Sequence, residues 1–211
     1  RVTPVDEATV AENDADAWAA ADNAICYQKR GQIYCTGTLG QRTFSGQNWY
    51  ITPALNDRAQ LRCGSDHCCS FQPGGTQVKC WGQSDFGESF VVDRNNFVQF
   101  SDNSVTGPIT DLALGVDTSC ALTDQGVECW GDNSFGQYGN NTRFNTGGGI
   151  INPTLTIPNA GPNGHTFDRL EAAHQTGTCG LKSSGELWCW GSLDNSGQIF
   201  TASSPERLDT N

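Results

Sequence analysis

Short apolar segments separated by glycine turns recur along most of the chain, with the length of β-strands rather than of helices. One stretch shows the pattern best. Leu112–Gly115 is short and apolar, and Cys120–Thr123 and Val127–Trp130 flank the turn Asp124-Gln125-Gly126. Two such segments joined by a glycine turn are typical of a β-hairpin. This stretch therefore predicts an inner strand, then a hairpin, then an outer strand over Ile150–Ile157.

The hairpin belongs to an internal repeat. Cys80-Trp81-Gly82, Cys129-Trp130-Gly131 and Cys189-Trp190-Gly191 each precede a glycine-containing loop, and Cys35-Thr36-Gly37 is a fainter copy. The copies are 45, 49 and 60 residues apart. A period of about 50 residues with short strands predicts a propeller or a related β-array. We expect an N-terminal segment 1–24 and a repeat domain 25–211, with units 25–57, 58–109, 110–166 and 167–211.

The ten cysteines favour disulfides over zinc, because the chain has no C-x-x-C pair. Four pairs are 9 to 11 residues apart with a turn between them, so each would staple the two strands of a hairpin. Cys63 and Cys68 remain and should pair with each other, since bonding the adjacent Cys68 and Cys69 would be strained. The predicted bonds are Cys26–Cys35, Cys63–Cys68, Cys69–Cys80, Cys120–Cys129 and Cys179–Cys189. Such bonds persist outside reducing compartments, which predicts an extracellular or cell-surface protein.

The net charge and the short apolar runs argue against two classes of partner, nucleic acids and membranes. The 211 residues carry a net charge of −11, which argues against nucleic-acid binding because phosphate recognition needs a basic surface. The longest apolar run, Ala17–Ala21, is too short to cross a bilayer, so we expect no direct membrane insertion. The sequence has no initiator methionine and no signal peptide, and we expect a mature, excised or recombinant piece.

The third unit carries a family resemblance. Its pattern S-C-A-L-T-x-x-G-V-x-C-W-G, within Gly115–Gly139, resembles the regulator of chromosome condensation repeat in its secreted, cysteine-bearing bacterial version. The resemblance extends over residues 16–211 and is weakest in the first unit. It implies a propeller of four-stranded blades that binds through surfaces and loops without a shared catalytic site. The family's usual histidine is matched only by His67.

The number of units departs from that family, whose propellers typically close with seven blades. Four units leave three arrangements open: a small closed ring, an open arc that can associate into a larger ring, or a fragment of a longer array.

The N-terminal segment has helix signals. Thr3 suits an N-cap, Pro4 the first helical position and Asp6 the third. Apolar residues recur at helical spacing as far as Trp18. We predict an alanine-rich helix from residue 3 to about 20, displacing the inner strand of the first unit around Trp18–Ala24. The fold class is thus mainly β, a propeller-like array of about four blades with disulfide-stapled hairpins, plus a short N-terminal α-helix.

Binding candidates come from aromatic or cationic residues in loops and outer strands, where insertions of repeat proteins usually carry recognition. They are Trp49, Tyr50, Phe97, Arg143 and Phe144. Phe90 and Phe100 are expected to be buried. The repeated tryptophan is interpreted as a wedge between units rather than a sugar-stacking site.

No catalytic motif, metal site or cofactor site is predicted. The leading hypothesis is a non-enzymatic extracellular recognition or adhesion module that binds a protein or a surface glycan. One alternative is a pilin-like filament subunit, self-associating through the N-terminal helix or through open blade edges. Another is a secreted protein inhibitor of an enzyme, which rests on fold analogy.

Overall fold

Four antiparallel sheets follow one another along the chain. The computed structural model describes residues 16–56, 58–143, 150–159, 165–173, 176–192 and 201–208. Blade 1 consists of β1 (Ala17–Ala20), β2 (Ala24–Lys29), β3 (Gln32–Leu39) and β4 (Arg42–Pro53). Blade 2 consists of β5 (Gln60–Cys63), β6 (His67–Phe71), β7 (Gln77–Ser84) and β8 (Asp93–Ser104). Blade 3 consists of β9 (Ile109–Leu114), β10 (Thr118–Thr123), β11 (Gly126–Gly131) and β12 (Ile150–Pro158). Blade 4 consists of β13 (Arg169–Ala173), β14 (Thr176–Leu181), β15 (Leu187–Ser192) and β16 (Thr201–Arg207). Each strand pairs with the next in its blade, so the predicted mainly β array of four-stranded blades is confirmed.

Each blade has two faces with different roles. The stapled face carries the hairpin cysteines, for example Cys120 and Cys129 in blade 3, and packs on the following blade. The tryptophan face carries the alternate residues, such as Trp130, and packs on the preceding blade. Side chains alternate across a strand, so one hairpin supplies both faces. Three hydrophobic clusters result, one between each pair of successive blades.

The repeated tryptophans lie between blades, which confirms the wedge interpretation. Trp81, Trp130 and Trp190 are fully buried. Each indole N–H points into the preceding blade. Trp81 Nε1 lies 3.3 Å from the Cys35 sulfur. Trp130 and Trp190 donate at 2.8 Å to the carbonyl oxygens of Glu88 and Gln137, in the loops of blades 2 and 3.

The glycine after each tryptophan closes the hairpin base. Gly131 has a φ of 94°, and a Cβ there would lie 2.3 Å from the Asp117 carbonyl oxygen. The next residue, Asp132, donates its backbone N–H to that same oxygen at 2.7 Å. Gly37 and Gly82 occupy the same place with φ of 95° and 122°. A side chain would therefore be strained and would clash at this position.

All five predicted disulfides are confirmed. Four of them join directly opposite residues of the second and third strands of a blade, as Cys120 does with Cys129. The fifth, Cys63–Cys68, joins β5 to β6 in blade 2. The other bonds are Cys26–Cys35, Cys69–Cys80 and Cys179–Cys189.

The N-terminal helix prediction is wrong where the structure tests it. Ala17–Ala20 form β1 and pair with β2, from Ala17 opposite Gln28 to Ala20 opposite Ile25. Ala17 and Ala19 pack against the first interblade cluster, while Trp18 is 65% exposed. Helix propensity is worth only tenths of a kcal/mol per residue, and pairing plus burial of alternate alanines overrides it. Blade 1 thus keeps its inner strand. The rest of the predicted helix, residues 3–15, lies outside the described residues.

The described part of the chain contains no helix long and apolar enough to span a membrane.

Candidate functional site on the outer rim

Two of the residues singled out from the sequence come together on the outer strands of blades 1 and 2. Trp49 lies in β4 with 44% of its surface exposed. Phe97 lies in β8, is half-buried and stacks edge-on against Phe44, with ring centroids 5.7 Å apart. The residue that joins them is Arg42, which the sequence analysis did not single out.

Arg42 lies among three aromatic rings. Its Cζ atom is 5.1 Å from the ring centroid of Phe97, 5.4 Å from that of Trp49 and 5.7 Å from that of Phe44. Each contact is within the range of a cation–π interaction, worth about 0.5–1 kcal/mol at an exposed site. We call Arg42, Phe44, Trp49 and Phe97 the Arg42 cluster.

A short turn between β3 and β4 places this cluster across two blades. Leu39 pairs with Arg42, with Gly40 in the turn between them. The backbone N–H of Gly40 donates to the Asp66 carboxylate of blade 2 at 3.2 Å. A Cβ on Gly40 would lie 2.9 Å from that of Gln83, so the turn packs directly on blade 2. The base of the cluster is therefore fixed before any ligand arrives.

The cluster has the chemistry of a recognition surface. A guanidinium carries its five N–H donors in a rigid plane that matches a carboxylate in bidentate geometry. Ring contacts hold the Arg42 guanidinium in place, which lowers the entropy lost when it binds. Trp49 adds a large, partly exposed aromatic surface beside it. Nothing in this arrangement supplies a nucleophile.

A second cation–aromatic contact extends the same rim. Lys79 Nζ lies 5.3 Å from the Phe100 ring centroid, pairs with Asp102 at 3.7 Å and donates to the Pro53 carbonyl oxygen at 3.1 Å. Phe100 is 46% exposed, so the prediction that it is buried is wrong. The same prediction for Phe90 is confirmed: it is buried and stacks on Trp130 at 4.9 Å.

The other sequence candidates lie away from the Arg42 cluster. Tyr50 is on the opposite face of blade 1, against Tyr34, with centroids 6.1 Å apart. Arg143 is exposed in the loop after β11. Phe144 lies outside the described residues.

His67 is part of a buried network between blades 2 and 3. Its Nε2 lies 2.8 Å from the Ser119 hydroxyl, which donates at 3.2 Å to the Glu88 carbonyl oxygen. Burial lowers the pKa of the His67 imidazole to about 4, so the ring is neutral at neutral pH. With no access to solvent, this histidine joins the two blades rather than serving as a catalytic base.

Blade 3 identifies the repeat. Residues 109–137, from the start of β9 to the loop after β11, match the family model for the regulator of chromosome condensation (RCC1) repeat. The chain carries an RCC1 repeat and folds as an RCC1-like propeller arc.

Solved structures agree with this fold at low identity. Prp20p from Saccharomyces cerevisiae is 21% identical with a TM-score of 0.71, over 97% of this chain and 54% of that one. Yeast RCC1 (Prp20), in its structure with Kap60, is 16% identical with a TM-score of 0.70, over 92% and 48%. Human WBSCR16 is 17% identical with a TM-score of 0.64, over 89% and 50%. The chain thus spans about half the length of these RCC1-like structures.

Carboxylates gather where the loops of blades 2 and 3 of this RCC1-like arc meet. Burial, followed by the nearby carboxylates of Asp132, Asp85 and Asp66, raises the pKa of Asp117 to about 6. Several of these groups organise turns. Asp132 Oδ1, for example, accepts the backbone N–H of Ser134 at 3.1 Å. The cluster therefore has a structural role in the repeat.

Burial also raises the pKa of Glu88, to about 8. The effect of burial on this pKa is larger than the opposing effect of the backbone N–H groups of Asp85 and Phe86. These two groups donate to the Glu88 carboxylate at 3.0 and 2.9 Å and favour its ionised form. Glu88 thus holds the loop whose carbonyl receives Trp130.

The described residues contain one arrangement that resembles a metal site, and all of its possible ligand atoms are sulfurs. Among the described residues, one group of His, Cys, Asp or Glu atoms is close enough to hold an ion: Cys26, Cys63 and Cys68. All three sulfurs are in disulfides, so no thiolate is available to a metal.

A cavity of about 230 Å³ lies where the inner strands of all four blades of the arc converge. Arg62 lines it and is paired with Asp111 at 3.0 Å.

Proposed function

We propose that the chain is a non-enzymatic extracellular recognition module that binds a protein partner through the Arg42 cluster. The observation that carries this proposal is the convergence of Arg42, Trp49 and Phe97 on the rim, held by the turn that packs on blade 2. In this proposal the function depends on the surface side chains of the Arg42 cluster, as expected if the RCC1-like fold serves as a binding scaffold.

Residue chemistry favours a protein ligand over a glycan. Tryptophan and arginine are the residues most enriched among interface hot spots. The ring faces contact the arginine, which leaves Trp49 less free to stack flat on a sugar. Prp20p, a structure with the same fold, is described by its binding to Gsp1p and histones, which supports protein recognition as a use of this scaffold.

An extracellular location is supported by the cysteines. All ten are in disulfides and none is free. Disulfides at this density are typical of secreted or surface proteins and rare in reducing compartments. Adhesion would be one use of such a module, and it belongs to this proposal.

The test is selection from a displayed random peptide library with the disulfide-intact protein immobilised. We expect enriched peptides that pair a carboxylate with an aromatic or aliphatic residue. Arg42→Gln should weaken binding of a selected peptide at least about tenfold, or about 1.4 kcal/mol. Trp49→Ala should weaken it by a similar or larger factor because it removes the exposed anchor. Arg58→Gln, an exposed arginine outside the cluster, is the matched control and should change nothing.

Two outcomes would contradict the proposal. Selected peptides could bind the Arg42→Gln and Trp49→Ala proteins as well as the original, which would place recognition elsewhere. Alternatively, a panel of surface glycans could bind through Trp49 while no peptide is enriched, which would make the ligand a sugar.

A further inference from the structure

Blade 2 carries one disulfide more than the other blades. Every blade has its hairpin staple, whereas Cys63–Cys68 joins directly opposite residues of β5 and β6. At the corresponding place in blade 3, Leu114 and Ser119 lie opposite each other. The repeat therefore folds without a bond at this place, and the bond in blade 2 needs another explanation.

The extra bond lies against the staple of blade 1. Cys68 is opposite Trp81 on the tryptophan face of blade 2 and packs in the same hydrophobic cluster as Cys26 and Cys35. The Cys68 sulfur is 3.7 Å from the Cys26 sulfur. The Cys63 sulfur completes a group of three sulfurs that all lie within 4.8 Å of one another. In the described part of the chain, this is the one place where two disulfides form such a group.

The two bonds differ in their access to solvent. Cys26, Cys35 and Cys68 are fully buried. Cys63 is half-buried and lines the cavity of about 230 Å³ where the inner strands converge. A thiolate attacks a disulfide only at a sulfur that it can reach, so a thiol that enters this cavity meets Cys63 first. Attack at Cys63 releases Cys68 as a thiolate beside Cys26.

The wedge tryptophan of blade 2 points at the other sulfur of the blade 1 staple. Trp81 Nε1 lies 3.3 Å from the Cys35 sulfur, whereas Trp130 and Trp190 donate to carbonyl oxygens. A hydrogen bond to a thiolate favours the ionised form, and a thiol that ionises more readily is the better leaving group in disulfide exchange. The donor is therefore already in place for Cys35 to leave Cys26.

We infer that these four cysteines form a thiol–disulfide exchange site whose substrate is a small thiol. The thiolate of the substrate attacks the Cys63 sulfur, so a mixed disulfide forms on Cys63 and the Cys63–Cys68 bond breaks. The released Cys68 thiolate then attacks the Cys26 sulfur, and the two sulfurs approach from 3.7 Å to the ~2.0 Å of a disulfide. The Cys26–Cys68 bond forms, the Cys26–Cys35 bond breaks, and Cys35 leaves as a thiolate that takes a proton from water. Each step breaks one disulfide and makes another, so no oxidant is needed.

The product joins two blades instead of stapling one. Both original bonds lie within a blade, whereas Cys26–Cys68 links β2 of blade 1 to β6 of blade 2. A thiol that reacts in the cavity thereby creates a covalent bond across a blade interface. All four sulfurs lie between residues 26 and 68, and binding at the Arg42 cluster has no part in the exchange.

Brief treatment of the folded, disulfide-intact protein with reduced glutathione tests the exchange. Thiols are then blocked with N-ethylmaleimide, and tryptic peptides are mapped without further reduction. In the starting protein, Cys35 holds peptide 31–42 to the peptide that ends at Lys29. Exchange should release peptide 31–42 with maleimide on Cys35 and link the Lys29 peptide to peptide 63–79. Glutathione should be found on Cys63.

The buried staple of blade 3 is the internal control. At early times, maleimide on Cys35 should exceed maleimide on Cys120 at least about tenfold, although both belong to fully buried hairpin staples. Labelling of Cys63 and Cys68 together, with the Cys26–Cys35 bond intact, would overturn the inference. Equal labelling of Cys35 and Cys120 would also overturn it, because it would indicate reduction through general opening of the fold.

A single-sulfur variant removes the need for an added thiol. Cys63→Ser leaves Cys68 unbonded beside Cys26, so a reactive Cys35 and the peptide linked through Cys26 and Cys68 should form without glutathione. The matched control is Cys129→Ser, which frees Cys120 where the described residues form no comparable sulfur group. Its maleimide should stay on Cys120. A free thiol that stays on Cys68 in the Cys63→Ser protein would contradict the exchange.

A double variant keeps the test decisive if Cys63→Ser does not fold. Replacing Cys26 and Cys35 by alanines removes the acceptor bond, so glutathione on Cys63 should now be accompanied by maleimide on Cys68. In the original protein Cys68 should escape maleimide, because it is bonded to Cys26. Equal labelling of Cys68 in the two proteins would show that no exchange takes place. Far-ultraviolet circular dichroism of the double variant should match that of the original protein.

Discussion

Blade 3 and blade 1 are built from the same repeat but differ in burial. In blade 3 every residue of β10 and β11 is buried, because a blade lies on each side. In blade 1 the residues of β2 alternate between buried and half-buried, because among the described residues another blade packs on the stapled face alone. Blade 3 has Trp130 at the wedge position and blade 1 has Thr36. The difference shows that neighbours, more than the repeat pattern, decide what each strand buries.

The largest expected loss of stability comes from removing the wedge tryptophan of blade 3. Trp130→Ala should cost about 3–5 kcal/mol of unfolding free energy, since it deletes a fully buried indole, its stack on Phe90 and its hydrogen bond to Glu88. Thr36→Ala, at the same place in blade 1 but at a small, half-buried side chain, should cost less than about 1 kcal/mol. Guanidinium unfolding with intact disulfides measures both. Equal losses would contradict the interpretation that the tryptophan carries most of the stability at this position of the repeat.

The second largest effect concerns the hairpin disulfides, and it tests whether they contribute equally to the stability of blades 1 and 3. Cys120–Cys129 and Cys26–Cys35 both have a sequence separation of 9. Loop entropy therefore predicts the same loss, about 2–3 kcal/mol, when either pair is replaced by alanines. A much smaller loss in blade 1, measured by the same unfolding experiment, would show that its hairpin is held mainly by contacts other than the bond.

The smallest of the three effects depends on pH. The raised pKa of Asp117, about 6, means that the ionised carboxylate is disfavoured in the fold. Its stabilising contribution is complete below the unfolded pKa of 3.8 and is lost as the pH rises through about 6. Asp117→Asn should therefore gain about 1–2 kcal/mol at pH 8 and nothing at pH 4, after allowing for solvent screening.

Blade 1 supplies the control for this variant. Asn23 occupies the place of Asp117, with its carbonyl oxygen against Gly37. Thr38 follows Gly37 where Asp132 follows Gly131, so Asn23→Asp should show a weaker pH dependence in thermal unfolding. A gain for Asp117→Asn that is the same at both pH values would indicate a cause other than charge.

Local spacing was enough to predict the hairpins, the five disulfides and the wedge role of the tryptophans. Each depends on residues within one repeat, such as Cys120, a glycine turn and Cys129. The prediction failed at Trp18, where local helix signals competed with pairing to β2. It also missed Arg42, because the rings of Trp49 and Phe97 reach it only after β4 and β8 come together. The available signal for this cluster was that Arg42 and Phe44, two residues apart, lie on the same face of a strand, and this signal is weak.

The indole hydrogen bonds of the wedge tryptophans bear on the order in which the blades can fold. Trp130 and Trp190 each donate backward, to a carbonyl in the loop of the blade synthesised before their own. A polypeptide that emerges from its N-terminus therefore completes each docking loop before the indole that needs it appears. Stability in arrays of this kind is a sum of repeat and nearest-neighbour terms, so folding can propagate from one end. During synthesis of this chain, each finished blade would serve as the template on which the next blade docks.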